Sequence, residues 1–296
     1  MSSGLQGVRL AIVGGDDREL VFIPELVRQG AYITVIGFEK APKLEDVKEA
    51  STFQDAVSGV DAILLPMPGT DERGIVKAKY GQTPLQLSKE VLQLIPLSVP
   101  VFIGWARPAL QTAAKALGLK LCEYNSLDEL TILNSIPSAE GAIQMAMEAT
   151  SITIHGSEAM VLGFGKSAFT LARTLHAMGA RVTVVARKEG DLARAYAMGM
   201  QSVHFMDLAQ AAAKADIIFN TVPSLVLDRV VLDNVMRDAV IVDIASSPGG
   251  TDFEYAAFLG IKAMLAPGLP GIVAPKTAGK ILAQVLPKLI LRQLVT

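Results

Sequence analysis

The chain reads as an α/β protein of two doubly wound, Rossmann-like parallel-sheet domains, joined by a crossover helix and closed by a C-terminal helix that returns to the first domain. Three observations predict this. Short apolar runs alternate with helical periodicity twice over, the order expected of parallel sheets covered on both faces. The length of 296 residues exceeds a domain of ~150 residues and leaves room for two. Finally, Ala159-Met160-Val161-Leu162-Gly163-Phe164-Gly165-Lys166-Ser167-Ala168 is an apolar strand running into a glycine-rich turn and then a helix. The expected division gives residues 1–135 and the helix 277–296 to a substrate or partner domain. Residues 136–276 form a nucleotide domain that begins with the crossover helix.

The first domain opens with the buried-strand pattern Val8-Arg9-Leu10-Ala11-Ile12-Val13. Gly14-Gly15-Asp16-Asp17-Arg18 then leads into an amphipathic helix ending near Gly30. Further strands are expected at Ala31–Ile36, Asp61–Leu65, Val101–Gly104 and Leu119–Cys122, with helices between them. The first turn imitates a nucleotide loop, but Asp16 and Asp17 place two carboxylates where a phosphate would sit. A substrate or interdomain loop is expected there instead.

Between the domains, Pro137 is expected to stop one element and Ser138 to cap the next helix, with Glu140 in its first turn. Those residue types suit any helix start; a catalytic or substrate role for Ser138 and Glu140 stands beside that plainer reading.

The second domain carries the fingerprint. Gly163 permits the tight turn, Gly165 lets the backbone approach a pyrophosphate, and the small Ala168 lets helix and strand pack closely. Phe164, Lys166 and Ser167 complete the loop, the Ser167 amide facing the anion. About 20 residues on, Arg181–Ala186 makes a second strand, completing a unit of the expected length. NAD sites place an acidic residue at that strand's end for the ribose 2′-hydroxyl; here Arg187 and Lys188 follow. A guanidinium and an ammonium suit a 2′-phosphate, so NADP is expected over NAD, although the same pair also suits a solvated strand end. Strands at Gln201–His204, Ala215–Asn220, Ala239–Ile244 and Ile261–Leu265 complete a six-stranded sheet.

Ligands of open α/β sheets lie beyond the strands' carboxyl ends. Asn220-Thr221-Val222-Pro223, Asp243-Ile244-Ala245 with the following Ser246–Gly250, and Ala266–Gly271 are therefore expected beside the nicotinamide, each also explicable as turn chemistry. After Thr277 a helix of about 18 residues, broken or bent at Pro287, is expected to return to the first domain.

With 51% apolar residues and a net charge of −2, nothing predicts a nucleic-acid partner. The single Cys122 excludes an internal disulfide and suits a reducing compartment. Three widely spaced histidines, His155, His176 and His204, offer no metal cluster and read as structural. Neither a signal peptide nor an apolar span of ~18 residues is evident, so a cytoplasmic protein without a membrane partner is expected.

Several stretches together carry a resemblance. They are Gly14–Arg18, Leu65-Pro66-Met67-Pro68-Gly69-Thr70, Ile136–Ala142, the Gly163-Phe164-Gly165 turn with Ala186-Arg187, and Pro267–Gly271 through Ala274–Gly279. In combination they resemble the dipicolinate synthase A-subunit family of spore-forming bacteria, over nearly the whole chain. The resemblance implies oxidation of dihydrodipicolinate, formed from the lysine-pathway condensation product 4-hydroxy-tetrahydrodipicolinate, to pyridine-2,6-dicarboxylate. It implies NADP+ as hydride acceptor, a flavoprotein-like B-subunit partner, an oligomer, and sporulation in the mother cell as the setting.

Such a substrate carries two carboxylates and calls for cations or hydroxyl donors, for which Arg18, Thr70, Arg107 and Ser138 are the candidates, with Asp16 beside them. The base that takes the ring proton stays open between Glu140, Asp16 and water. Two other readings stand. One is another two-domain NADP-dependent dehydrogenase, although the Lys-Asp pair of a shikimate type and the late His of a hydroxyacid type are missing. The other is a non-catalytic NADP-binding regulatory protein.

Overall fold

The computed structural model describes residues 4–295. The chain divides into two compact units, one running to Thr131 and resuming at Pro275, the other Ile132–Ala274. The first unit contains β1 (Arg9–Val13), α1 (Glu19–Arg28), β2 (Tyr32–Ile36), β3 (Val47–Glu49), α2 (Phe53–Val57), β4 (Ala62–Leu64), α3 (Lys89–Leu92), β5 (Val101–Ile103), α4 (Pro108–Leu117) and β6 (Leu121–Glu123). Its strands pair in the order β3-β2-β1-β4-β5-β6, all parallel. That is the doubly wound order, and it puts the loops after β1 and β4 side by side at the carboxyl edge, where the chain's direction across the sheet reverses. β3 was not foreseen: it is three residues at the sheet's edge, Val47 half-buried and Lys48 and Glu49 exposed, so it carries no apolar pattern to read.

The helix α5 (Asp128–Ala149) leaves the first unit and enters the second. Pro137 does not stop it, and Ser138 is an interior residue rather than a cap. Proline removes one ladder hydrogen bond and costs roughly 3 kcal/mol in a helix interior. Burial of Ala139, Ala142, Ile143 and Ala146 in the core of the second unit opposes that cost. The hydroxyls of Ser135 and Ser138 donate to the carbonyls of Ile132 (2.6 Å) and Asn134 (2.8 Å) around the interruption.

The second unit continues with β7 (Glu158–Leu162), α6 (Lys166–Ala177), β8 (Arg181–Ala186), α7 (Glu189–Ala197), β9 (Gln201–His204), α8 (Leu208–Ala212), β10 (Ile217–Asn220), α9 (Arg229–Leu232), β11 (Val240–Asp243), α10 (Phe253–Phe258), β12 (Lys262–Leu265) and α11 (Leu269–Val273). The order β9-β8-β7-β10-β11-β12, again parallel, repeats the first sheet. Alternate residues serve its two faces. Ala159, Val161, Val182, Val184 and Phe219 join a core with Ala168, Leu171 and Leu175 of α6, whereas Met160, Leu162, Val185 and Ile218 pack with Leu208, Ala212 and Leu232.

The final helix, α12 (Pro275–Leu294), belongs to the first unit, as expected of a returning helix, and runs unbroken through the buried Pro287. It lies on α1, and Gly279 makes the close approach possible: a Cβ there would stand 2.6 Å from the Arg18 carbonyl oxygen and 2.8 Å from Val21 Cβ.

Candidate functional site

In the second unit the central strand β7 ends at Gly163, whose φ of +94° only glycine adopts without strain. A Cβ at this residue would also stand 2.6 Å from Thr221 Oγ1. Thr221 in turn donates its hydroxyl to the Leu162 carbonyl at 2.8 Å, fastening the neighbouring loop to the turn. Gly165 is the N-cap of the twelve-residue α6, and a Cβ built on it meets nothing within 4 Å. The first amides of α6, at Lys166, Ser167 and Ala168, thus begin behind a residue with no side chain, a cradle for an anion at a helix N-terminus. Phe164 is buried beneath the turn, its ring 5.6 Å from that of Phe169.

Arg187 and Lys188 follow β8, and both are exposed. His204, at the end of the neighbouring β9, has its Nε2 3.3 Å from the Arg187 carbonyl. The Met206 amide donates to His204 Nδ1 at 3.2 Å, so the ring proton lies on Nε2 and is donated to Arg187. His204 thus fixes the backbone of the strand end that presents the two cations.

The loops after β10 and β11 are locked to each other. Asn220 and Asp243 are fully buried. Asn220 Nδ2 donates to Asp243 Oδ2 (2.9 Å) and to the Val222 carbonyl (3.0 Å), while its Oδ1 accepts the Val222 amide (3.0 Å). Asp243 also accepts the amides of Ala245 (3.0 Å) and Gly250 (2.8 Å) and the Thr251 hydroxyl (2.7 Å). These two side chains shape the loops rather than face a ligand. What the loops leave accessible is Thr221, Val222, Pro223 and Ile244, with Ala245 buried behind them.

The structure does not bring Ser138 or Glu140 to this turn. The Ser138 hydroxyl is spent on the Asn134 carbonyl. Glu140 is exposed and lines a shallow groove with Thr174 and Met178. Thr174 lies eight residues, about 12 Å, down α6 from Lys166.

In the first unit, Asp16, Arg18, Thr70 and Arg107 do lie on loops at one sheet edge, after β1, β4 and β5. Arg18 is buried, and its Nε and Nη2 donate to Asp16 Oδ1 and Oδ2 at 2.9 and 2.7 Å. Burial works against the guanidinium's charge, but the acidic groups around it, Asp16 first and then Glu19 and Tyr124, together more than offset it, leaving the Arg18 pKa raised. Lys79 Nζ lies 2.7 Å from both Asp17 oxygens, and Tyr80 donates its hydroxyl to the same carboxylate. Those donors, Lys79 first, hold Asp17 below the usual carboxylate range. Thr70 is buried, and its Oγ1 has no hydrogen-bond partner among the described residues. Arg107 is half-buried, 3.1 Å from Glu72 and over the Trp105 ring.

Sequence reasoning missed Glu19 and Tyr124 at this edge. The Glu19 carboxyl is 3% exposed and accepts the Asp16 amide at 2.7 Å. Burial, with the Asp16 carboxylate adding to it, pushes its pKa up to about 7. Tyr124, after β6, is buried, donates to the Leu65 carbonyl at 2.8 Å and is raised well above its usual pKa by burial. The Asp-x-x-Glu spacing at the start of α1 was the available signal, since it is the pattern of a reciprocal helix cap.

Among the described residues no three His, Cys, Asp or Glu side chains are placed to hold a metal ion, and no helix is long and apolar enough to cross a membrane.

Comparison with known proteins bears on both units. Residues 9–125 match the model of the N-terminal domain of the dipicolinate synthase A-subunit, and residues 159–247 match that of the NADP oxidoreductase, coenzyme F420-dependent, family. The chain is 40% identical to the dipicolinate synthase A-subunit of Bacillus subtilis (strain 168) over 287 residues, 97% of each protein. It is similar to the crystal structure of the dipicolinate synthase A-subunit from Bacillus halodurans, with a TM-score of 0.92 and 41% identity over 97% of this chain and 99% of that one. An L-alanine dehydrogenase, 17% identical with a TM-score of 0.66 over 96% of this chain and 89% of its own, shares the fold.

Proposed function

Because the chain belongs to the dipicolinate synthase A-subunit family, we propose that it oxidises a dihydrodipicolinate ring to pyridine-2,6-dicarboxylate with NADP+ as acceptor. That family, together with the NADP-oxidoreductase match in the second unit, supports an NAD(P)-dependent oxidoreductase. The observation that supports NADP+ as the acceptor is the open start of α6 beside a strand end bearing Arg187 and Lys188 and no carboxylate, while the ring substrate follows from the family.

In this reading the backbone of Gly163, Phe164, Gly165, Lys166 and Ser167 holds the pyrophosphate, and Arg187, with Lys188 second, pairs with the 2′-phosphate. Thr221, Val222, Pro223, Ile244 and Ala245 form the wall beside the nicotinamide, held in place by the Asn220–Asp243 lock. The nicotinamide supplies a two-electron hydride acceptor, and with the remaining proton passing to water the dihydro ring becomes aromatic. The first unit receives the dicarboxylate. Its donors are the Arg18 Nη1, which has no partner among the described residues, the unpaired Thr70 hydroxyl, and Arg107. Ser138 is not among them, because its hydroxyl is already committed.

The family also supports a B-subunit partner of flavoprotein type, an oligomeric assembly and a role in sporulation in the mother cell. The test follows absorbance at 340 nm while pyruvate, aspartate semialdehyde and the condensing enzyme supply substrate, with NADP+ or NAD+ and with or without the B-subunit partner. NADPH appearing together with the pyridine-dicarboxylate absorbance supports the reaction. No reduction of either nucleotide with that partner present would overturn it.

A further inference from the structure

We infer that Glu19 is a proton-carrying positioning residue, which takes up a proton when a dicarboxylate binds at the Arg18 edge of the first unit. The inference rests on the substrate reading proposed above and deepens it. Three observations carry it. The Glu19 carboxyl occupies the position at the start of α1 where an anion would otherwise bind: it accepts the Asp16 amide, and a Cβ on Gly15 would stand 2.5 Å from Glu19 Cδ. It is buried, so it cannot discharge its charge into water. And the guanidinium beside it is already taken: both Asp16 oxygens accept from Arg18 Nε and Nη2, which leaves Glu19 without a cation within 4 Å among the described residues.

The charges decide the direction. Asp16 and Arg18 together sum to zero, so an ionised Glu19 leaves the buried cluster with one net negative charge. Tyr124, the other titratable group facing it, is buried and neutral, while Asp17 is neutralised by Lys79 on the segment packed outside. A dianion arriving at Arg18 Nη1 meets a neutral cluster when Glu19 is protonated and a negative one when it is not. Ligand binding and proton binding on Glu19 therefore favour each other, and linkage requires the coupling to be reciprocal. Glu19 does not touch the ligand; it acts through Asp16 and Arg18. Burial that brings its ionisation close to neutrality places the effect in the working pH range.

The test is calorimetric titration of the chain, saturated with NADP+, with pyridine-2,6-dicarboxylate between pH 6 and 8.5, in wild type and Glu19→Gln. Gln keeps a side-chain oxygen for the Asp16 amide and cannot ionise. Proton uptake is read from the dependence of the heat on the buffer's ionisation enthalpy. In the wild type Kd should rise above pH 7, approaching tenfold per pH unit when one proton is fully coupled. E19Q should bind with a nearly constant Kd and take up fewer protons. Its melting temperature reports whether it folds, and Glu19→Met, neutral and apolar, gives a second chain with the same expected flat profile. Binding whose pH dependence is identical in wild type and either folded variant would overturn the inference alone. No binding at any pH would overturn the substrate reading and this inference with it.

Discussion

The two units present the same local problem twice and solve it in opposite ways. Each has a six-stranded parallel sheet in the same order, and in each the first strand runs through a glycine turn into a helix. In the second unit the helix start is left open: Gly165 has no side chain, and a Cβ there would meet no other atom within 4 Å. In the first unit the equivalent place is filled by the chain's own Glu19, which accepts the Asp16 amide. Topology therefore provides an anion seat in both units, and a few side chains decide whether a ligand or the protein occupies it.

The largest effect should come from making the second turn resemble the first. Gly165→Asp adds a carboxylate where space exists, so the fold should persist while NADP+ affinity, measured by calorimetry, falls by about a hundredfold or more. Each charge-assisted phosphate contact is worth about 1.5–3 kcal/mol, and the new charge repels. Undiminished binding would show that the pyrophosphate lies elsewhere.

Next is the stability of the first seat. The Glu19 pKa is raised in the fold, so the unfolded chain ionises first as pH rises. Its contribution to stability is then full below about pH 4.5 and is lost as pH climbs to about 7. A rise from 4.5 to about 7 on folding corresponds to about 3 kcal/mol. In urea titrations Glu19→Gln should match the wild type near pH 4 and exceed it by up to that amount at pH 8. A constant difference across the range would contradict the burial argument.

Arg187→Asp should then reverse the preference for NADP+ over NAD+, through loss of about 1.5–3 kcal/mol of contact and an added repulsion. An unchanged ratio of kcat/KM for the two nucleotides would place Arg187 away from the 2′-phosphate. The smallest effect is expected of Ser138→Ala, with KM within about twofold of wild type, since losing a bond to an interior helix carbonyl costs roughly 1 kcal/mol of stability or less. A tenfold rise in KM would return Ser138 to the site.

Most of the fold was legible because buried parallel strands leave unbroken apolar runs such as Ala159–Leu162, and because glycine turns punctuate them. Where an element lacks that signal it was lost: β3 has one half-buried residue, and Pro137 reads as a helix stop although packing of the following alanines outweighs it. The geometry of the glycine turn after β7 was legible since it is set by the backbone, which glycine spacing encodes. The first-unit edge was only half legible. Asp16, Arg18 and Thr70 stood out by type and place, but the Asp16–Arg18 pairing and the unpartnered Thr70 hydroxyl depend on burial, as does the role of Glu19, which a sequence shows only as a helix cap. Glu140 was legible only by residue type for the same reason: it lies inside the crossover helix α5, and which neighbour its exposed side chain faces, here Thr174 and Met178 at the far end of α6, is set by packing.

The most direct test of the contrast between the two turns is a calorimetric titration of the chain with NADP+, repeated on Gly165→Asp. One site per chain, tighter for NADP+ than for NAD+ and lost in the variant, is the predicted result. Two sites per chain, or a site that survives Gly165→Asp, would contradict it.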